Sequence, residues 1–140
     1  MAIRQLSVFL ENKKGTLHEI TGILADAGID LRTMCIADTA EYGIVRIVAN
    51  DPIKARQVLS DAGHVSSIRK VNAFVVPDTP GGLSKALALL ETNGVNIEYL
   101  YALTTGEAGK ACAVMRTGDT EKADEILTSN NIELLGENTL

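Results

Sequence analysis

The chain has 140 residues, 46% hydrophobic and 22% charged, a balance that places it among folded globular proteins and excludes a disordered or low-complexity chain. Its net charge of −5 repels phosphate backbones and anionic lipid surfaces, which argues against nucleic acid or a membrane as partner. No apolar run approaches the length of a membrane-spanning helix, and Met1 leads straight into a strand-like pattern, so a soluble cytoplasmic protein is expected.

Along the chain the hydrophobic period switches repeatedly between strand and helix. Leu6, Val8 and Leu10 alternate with polar neighbours as a first strand, and Leu17, Ile20, Leu24 and Ala27 then recur at helical spacing up to Gly28, a suitable helix stop. Ile29 to Ile36 reads as a second strand, Asp38-Thr39-Ala40-Glu41 as a turn, and Ile44 to Ala49 as the third strand of a hairpin. Asp51-Pro52 is an N-cap followed by proline at the first helical position; Ala55, Val58, Leu59 and Ala62 form the inner stripe of a second helix, stopped by Gly63. A fourth strand closes this half. The same order then recurs: a strand from Val71 to Val76, a helix from Gly82 to Asn93, strands near Val95 to Leu103 and Ala111 to Arg116, a helix from Thr120 to Ser129, and a last strand from Ile132 to Leu135.

Superposing the chain on itself makes the repeat explicit. Gly15, Leu17, Gly28 and Asp30 match Gly81, Leu83, Gly94 and Asn96 at a constant offset of 66, whereas Asp51, Ala55, Val58 and Leu59 match Asp119, Ala123, Ile126 and Leu127 at 68. Two residues therefore entered the second copy between these blocks, where a hairpin tolerates them. Two long copies indicate a duplicated domain rather than a solenoid, with units at residues 1–69 and 70–140. The last strand of one copy and the first of the next must share Val65 to Val76, which leaves almost no linker and should hold the units in a fixed relation. The fold class is α+β, each βαββαβ unit having an antiparallel sheet with both helices on one face.

That scaffold serves many chemistries, and the residues narrow them. Base stacking on RNA needs aromatic residues on the central strands, and neither Ile44-Val45-Arg46-Ile47-Val48 nor Ala111-Cys112-Ala113-Val114-Met115 has one. A metal carrier needs paired thiols, but the first loops, Glu11 to Gly15 and Pro77 to Gly81, contain none. Cys35 and Cys112 lie far apart in apolar stretches and read as buried free thiols; His18 and His64 read as solvated. No metal site, cofactor or catalytic cluster is assembled, so no enzymatic activity is expected. The two first loops do lead from a strand into a helix whose opening N–H groups lack partners, a setting that suits a carboxylate, although Gly15 and Gly81 also serve simply to turn the chain.

The second copy reads Asp78-Thr79-Pro80-Gly81-Gly82-Leu83 and then Gly94-Val95-Asn96-Ile97, which resembles the signature of ACT domains. The first copy resembles it less closely, as Asn12-Lys13-Lys14-Gly15-Thr16-Leu17 and Gly28-Ile29-Asp30-Leu31, with Lys14 in place of proline and Asp30 in place of asparagine. The resemblance implies two tandem ferredoxin-like units joined side by side into one eight-stranded sheet, with a free amino acid bound at the interface between units. By position, N–H groups around Gly15 and Gly81 would hold the ligand carboxylate. Asn12, Asp30, Asp78 and Asn96 would face its ammonium or side chain, and Leu17 and Leu83 would line an apolar wall. Lys14, Thr16, Leu31, Pro80, Gly82 and Ile97 complete the implied site. Asp30 and Asn96 also suit a plain turn out of the helix, and Asp78 plain loop chemistry. Because copy two keeps the pattern, its loop from Asp78 to Leu83 is expected to be the better formed.

These readings lead to a small non-catalytic regulatory protein that binds a free amino acid, with a biosynthetic enzyme as a candidate partner. The alternative is a ligand-free regulatory or structural subunit that docks on a metabolic enzyme. Ile44, Val45, Ile47 and Val48 are apolar on both faces of one strand, so a homodimer is also expected.

Overall fold

The alternating periods resolve, in a computed structural model that describes residues 2–38 and 41–140, into seven strands and four helices. In order they are β1 (Ile3–Glu11), α1 (Thr16–Asp26), β2 (Leu31–Asp38), β3 (Tyr42–Ala49), α2 (Pro52–Asp61), β4 (Ser66–Pro77), α3 (Gly82–Thr92), β5 (Ile97–Thr104), β6 (Lys110–Thr117), α4 (Thr120–Ser129) and β7 (Leu134–Leu135). The expected turn at Asp38-Thr39-Ala40-Glu41 falls partly on Thr39 and Ala40, which lie outside the described residues.

The chain divides into two compact units, Arg4–Arg69 and, with Ile3, Lys70–Leu140. In the first the strand order is β2-β3-β1-β4, and in the second it is β5-β6-β4-β7, with antiparallel pairing. The two orders are one topology written twice. Eight strand positions are filled by seven strands, because β4 ends one unit with Ser66 to Arg69 and opens the other with Lys70 to Pro77. Three residues separate β2 from β3 and five separate β5 from β6, so the two extra residues of the second copy sit at its hairpin.

The cores repeat at the sequence offsets. Val8, Ile20, Leu24, Val45, Ile47, Ala55 and Leu59 fill the first, and Phe74, Ala86, Leu90, Ala113, Met115, Ala123 and Leu127 occupy the same seven positions in the second. The identities differ: Phe74 is larger than Val8, while Ala86 and Ala113 are smaller than Ile20 and Val45. The helices α2 and α4 begin alike as well, with Asp51 accepting from the Lys54 N–H and Asp119 from the Lys122 N–H, both at 3.0 Å.

One position departs from the repeat in chemistry. Where the first core has Leu6, the second has fully buried Asn72, whose amide donates to the Thr120 carbonyl at 2.9 Å and to an Asp124 carboxylate oxygen at 2.6 Å. Buried Thr117 in turn donates to the Asn72 amide oxygen at 3.4 Å, so this polar group is paired on both sides.

Three expectations need correction. Cys112 is buried, but Cys35 is only half-buried, because β2 is the outer strand of its unit and has a neighbour on one side only. His64 is not solvated: its side chain is 15% exposed. After α2 the chain turns back sharply enough for the Phe9 N–H to reach the Val65 carbonyl at 3.0 Å, which tucks the His64 ring toward α1. The last strand contracts to Leu134–Leu135, since Ile132 instead closes α4 through a bond from its N–H to the Leu127 carbonyl.

Candidate functional site

Both strand-to-helix loops are built on one plan. Gly15 and Gly81 precede α1 and α3 with φ of 88° and 87°, a left-handed conformation that side chains disfavour, so glycine is required at this turn. Each loop is tied to the hairpin of its own unit, by the Asn12 N–H on the Glu41 carbonyl at 3.0 Å and by the Asp78 N–H on the Gly109 carbonyl at 2.9 Å. In both helices the first N–H bonds back into the loop, from Thr16 to Lys13 and from Gly82 to Thr79, while the next two have no carbonyl one turn behind them.

The loops differ in how tightly they close. A Cβ added to Gly82 would stand 2.2 Å from the Pro77 carbonyl oxygen, so the start of α3 lies directly against the end of β4. In the first unit Thr16 takes that position, its N–H is 3.4 Å from the Lys13 carbonyl instead of the 3.0 Å between Gly82 and Thr79, and its hydroxyl donates to the same Lys13 carbonyl at 3.1 Å. The turn is thus looser in the copy that resembles the ACT pattern less.

A concavity of about 340 Å³ opens beside this looser loop. Its walls come from four separated segments: Phe9, Leu10 and Glu11 at the end of β1, Lys13, Thr16 and Glu19 around the start of α1, Tyr42 at the start of β3, and Gly63 to Val65 between α2 and β4. The volume lies at the small end of ligand sites, which suits a metabolite of amino-acid size. Its apolar wall is unusual for a surface, since Phe9, Tyr42 and Val65 are 55%, 62% and 68% exposed. The polar wall carries both signs of charge. Lys13 and Glu11 stand 3.1 Å apart, an exposed pair that holds together weakly and leaves both groups available. His64 Nε2 is 3.8 Å from a Glu19 carboxylate oxygen.

Of the residues singled out from the sequence, Thr16 lines this concavity and Asn12, Lys14 and Gly15 flank it in the same loop. Leu17 and Leu83 instead pack against the cores of their own units. Asp30 and Leu31 stand at the other end of α1, where Asp30 pairs with Arg32 at 3.3 Å and its N–H bonds to Asn50, and neither lines the concavity. Asn96 and Ile97 hold the corresponding place after α3, while Asp78, Pro80, Gly81 and Gly82 form the tighter second loop. Sequence reasoning missed Phe9, Tyr42, Glu19 and His64. Phe9 carried a signal, being a large apolar residue at an outward position between Val8 and Leu10, which point into the core.

Among the described residues no group of His, Cys, Asp and Glu is placed to hold a metal, and no helix is long and apolar enough to cross a membrane. Burial pushes the Cys112 thiol up to about 11, against a smaller opposing pull from the Phe74 backbone, so this thiol stays protonated and is a poor nucleophile.

The molecule is an α+β pair of βαββαβ units, with a metabolite-sized concavity beside one strand-to-helix loop. The chain matches the ACT domain pair over residues 1–140, and it belongs to that family, a regulatory family whose members typically bind amino acids. Among solved structures it is similar to protein BT0572 from Bacteroides thetaiotaomicron, at 39% identity and a TM-score of 0.90, covering 96% of this chain and 92% of that one. It also shares its fold with the regulatory subunit of aspartate kinase from Thermus thermophilus, at 14% identity and a TM-score of 0.65, and with aspartokinase alpha and beta subunits, at 20% and 0.63, each comparison covering 90% of both chains. No curated protein matches the sequence.

Proposed function

We propose that this chain is a non-catalytic regulatory protein that binds a free amino acid at its strand-to-helix loops, with the first-unit concavity as the principal pocket. The observation that carries the reading is the concavity itself, which sets charges of both signs and an apolar wall beside the start of α1 around a volume of amino-acid size. Membership of the ACT domain pair family supports it. In the family's mode of action the ligand lies where ACT units face one another, and its occupancy changes contacts with a partner. We extend the same proposal to a homodimer in the cytoplasm that acts on an enzyme of amino-acid metabolism; the similar Thermus thermophilus protein is named the regulatory subunit of aspartate kinase.

A thermal-shift panel of the twenty amino acids tests this reading. A ligand present at a hundred times its Kd adds ~2.7 kcal/mol of stability, which for a chain of this size raises Tm by several degrees. A response to one amino acid or a chemically related few is the expected result. A flat panel would leave the alternative, a ligand-free subunit that docks on an enzyme.

A further inference from the structure

His64 is the one histidine in the concavity, and it is held in an arrangement that its own unit leaves incomplete. Its Nε2 is shielded from solvent and has no hydrogen-bond partner among the described residues. The nearest acid, Glu19, stands 3.8 Å away, beyond hydrogen-bond range. A buried polar atom without a partner is destabilising, and native structures keep few of them. The Glu19 side chain is 62% exposed and therefore able to retract from the ring or follow an incoming group. Once the exposed Glu19 side chain moves aside to admit a ligand, the imidazole nitrogen and the carboxylate oxygen offer a pair of acceptors that a single ammonium can bridge, lying about 2.8 Å from each. The same concavity is lined by the exposed apolar surfaces of Phe9, Tyr42 and Val65.

Resting on the amino-acid-binding reading above, we propose that His64 is a direct recognition residue of the first-unit pocket. Its Nε2 and the Glu19 carboxylate together receive the ligand's ammonium, and the ligand is an α-amino acid with an apolar side chain laid against Phe9, Tyr42 and Val65. The ligand's carboxylate faces the start of α1 and Lys13.

Calorimetric titration of the full chain with L-leucine, L-phenylalanine, L-serine and L-lysine, and with the 2-oxo acids that correspond to leucine and phenylalanine, tests the proposal. L-leucine or L-phenylalanine should bind more tightly than serine or lysine, and the 2-oxo acids, which lack the ammonium, should bind weakly. His64→Leu should weaken the apolar amino acid by about tenfold or more, as expected on losing a hydrogen bond to a charged group, while His64→Gln, which keeps an acceptor, should retain most of the affinity. Melting curves of both variants establish that they fold. Unchanged affinity in a folded His64→Leu variant would overturn the role of His64 while leaving amino-acid binding intact, and tightest binding of serine or lysine would overturn the apolar specificity. If none of the twenty amino acids shifts the melting temperature or gives heat of binding, this inference and the broader reading fail together.

Discussion

At the scale of single residues, equal letters in the sequence stand for unequal physics. Gly82 and Gly22 are both helical glycines, but a Cβ at Gly82 would meet the Pro77 carbonyl oxygen at 2.2 Å, whereas one at Gly22 would meet nothing within 4 Å. Gly82→Ala should therefore destabilise the protein by about 1–3 kcal/mol through overpacking, while Gly22→Ala should stabilise it by about 0.5–1 kcal/mol by removing backbone freedom from the unfolded chain. Urea unfolding of the two variants would show opposite signs. The cysteines divide in the same way. Cys112, with its thiol pushed up to about 11, should resist a thiol reagent near neutral pH, and half-buried Cys35 should react, giving one fast thiol per chain. Because folding holds the Cys112 proton more tightly than the unfolded chain does, its contribution to stability is complete below about pH 9 and is lost as pH rises toward about 11.

At the scale of elements, the duplication supplies its own controls. The periods of Leu6, Val8 and Leu10, of Leu17, Ile20 and Leu24, and the Asp51 and Asp119 caps were enough to place most strands and helices, because each depends on neighbours close in sequence. The chemistry of Asn72 was not legible in this way. An asparagine inside an apolar strand gives no sign that Thr120, Asp124 and Thr117, more than 40 residues on, will satisfy it. Changing Asn72 to the leucine found at the matching position of the first unit should cost about 1–3 kcal/mol, since the buried Thr117 hydroxyl loses its acceptor. Adding Thr117→Ala, which restores the first unit's Leu6 and Ala49 combination, should recover much of that loss. A double variant as unstable as the sum of the two single ones would show that the network is not one unit.

For the molecule as a whole, the repeat and the loop pattern were legible, but the pocket was not. The sequence directs attention to Asp78 to Leu83, where the pattern is complete, whereas the concavity lies beside Thr16, where it is not. The reason is packing rather than pattern: Gly82 lets α3 close against Pro77, and Thr16 holds the equivalent turn open. The pocket also draws on the end of β1, the start of β3 and the turn before β4, so no local motif contains it. Occupancy of the first-unit concavity by a free amino acid is tested most directly by titrating isotope-labelled protein with each amino acid and following backbone N–H resonances. Saturable shifts should gather on Thr16, Glu19 and Gly63 to Val65. Resonances unmoved by all twenty amino acids, or shifts confined to residues of the second unit, would contradict it.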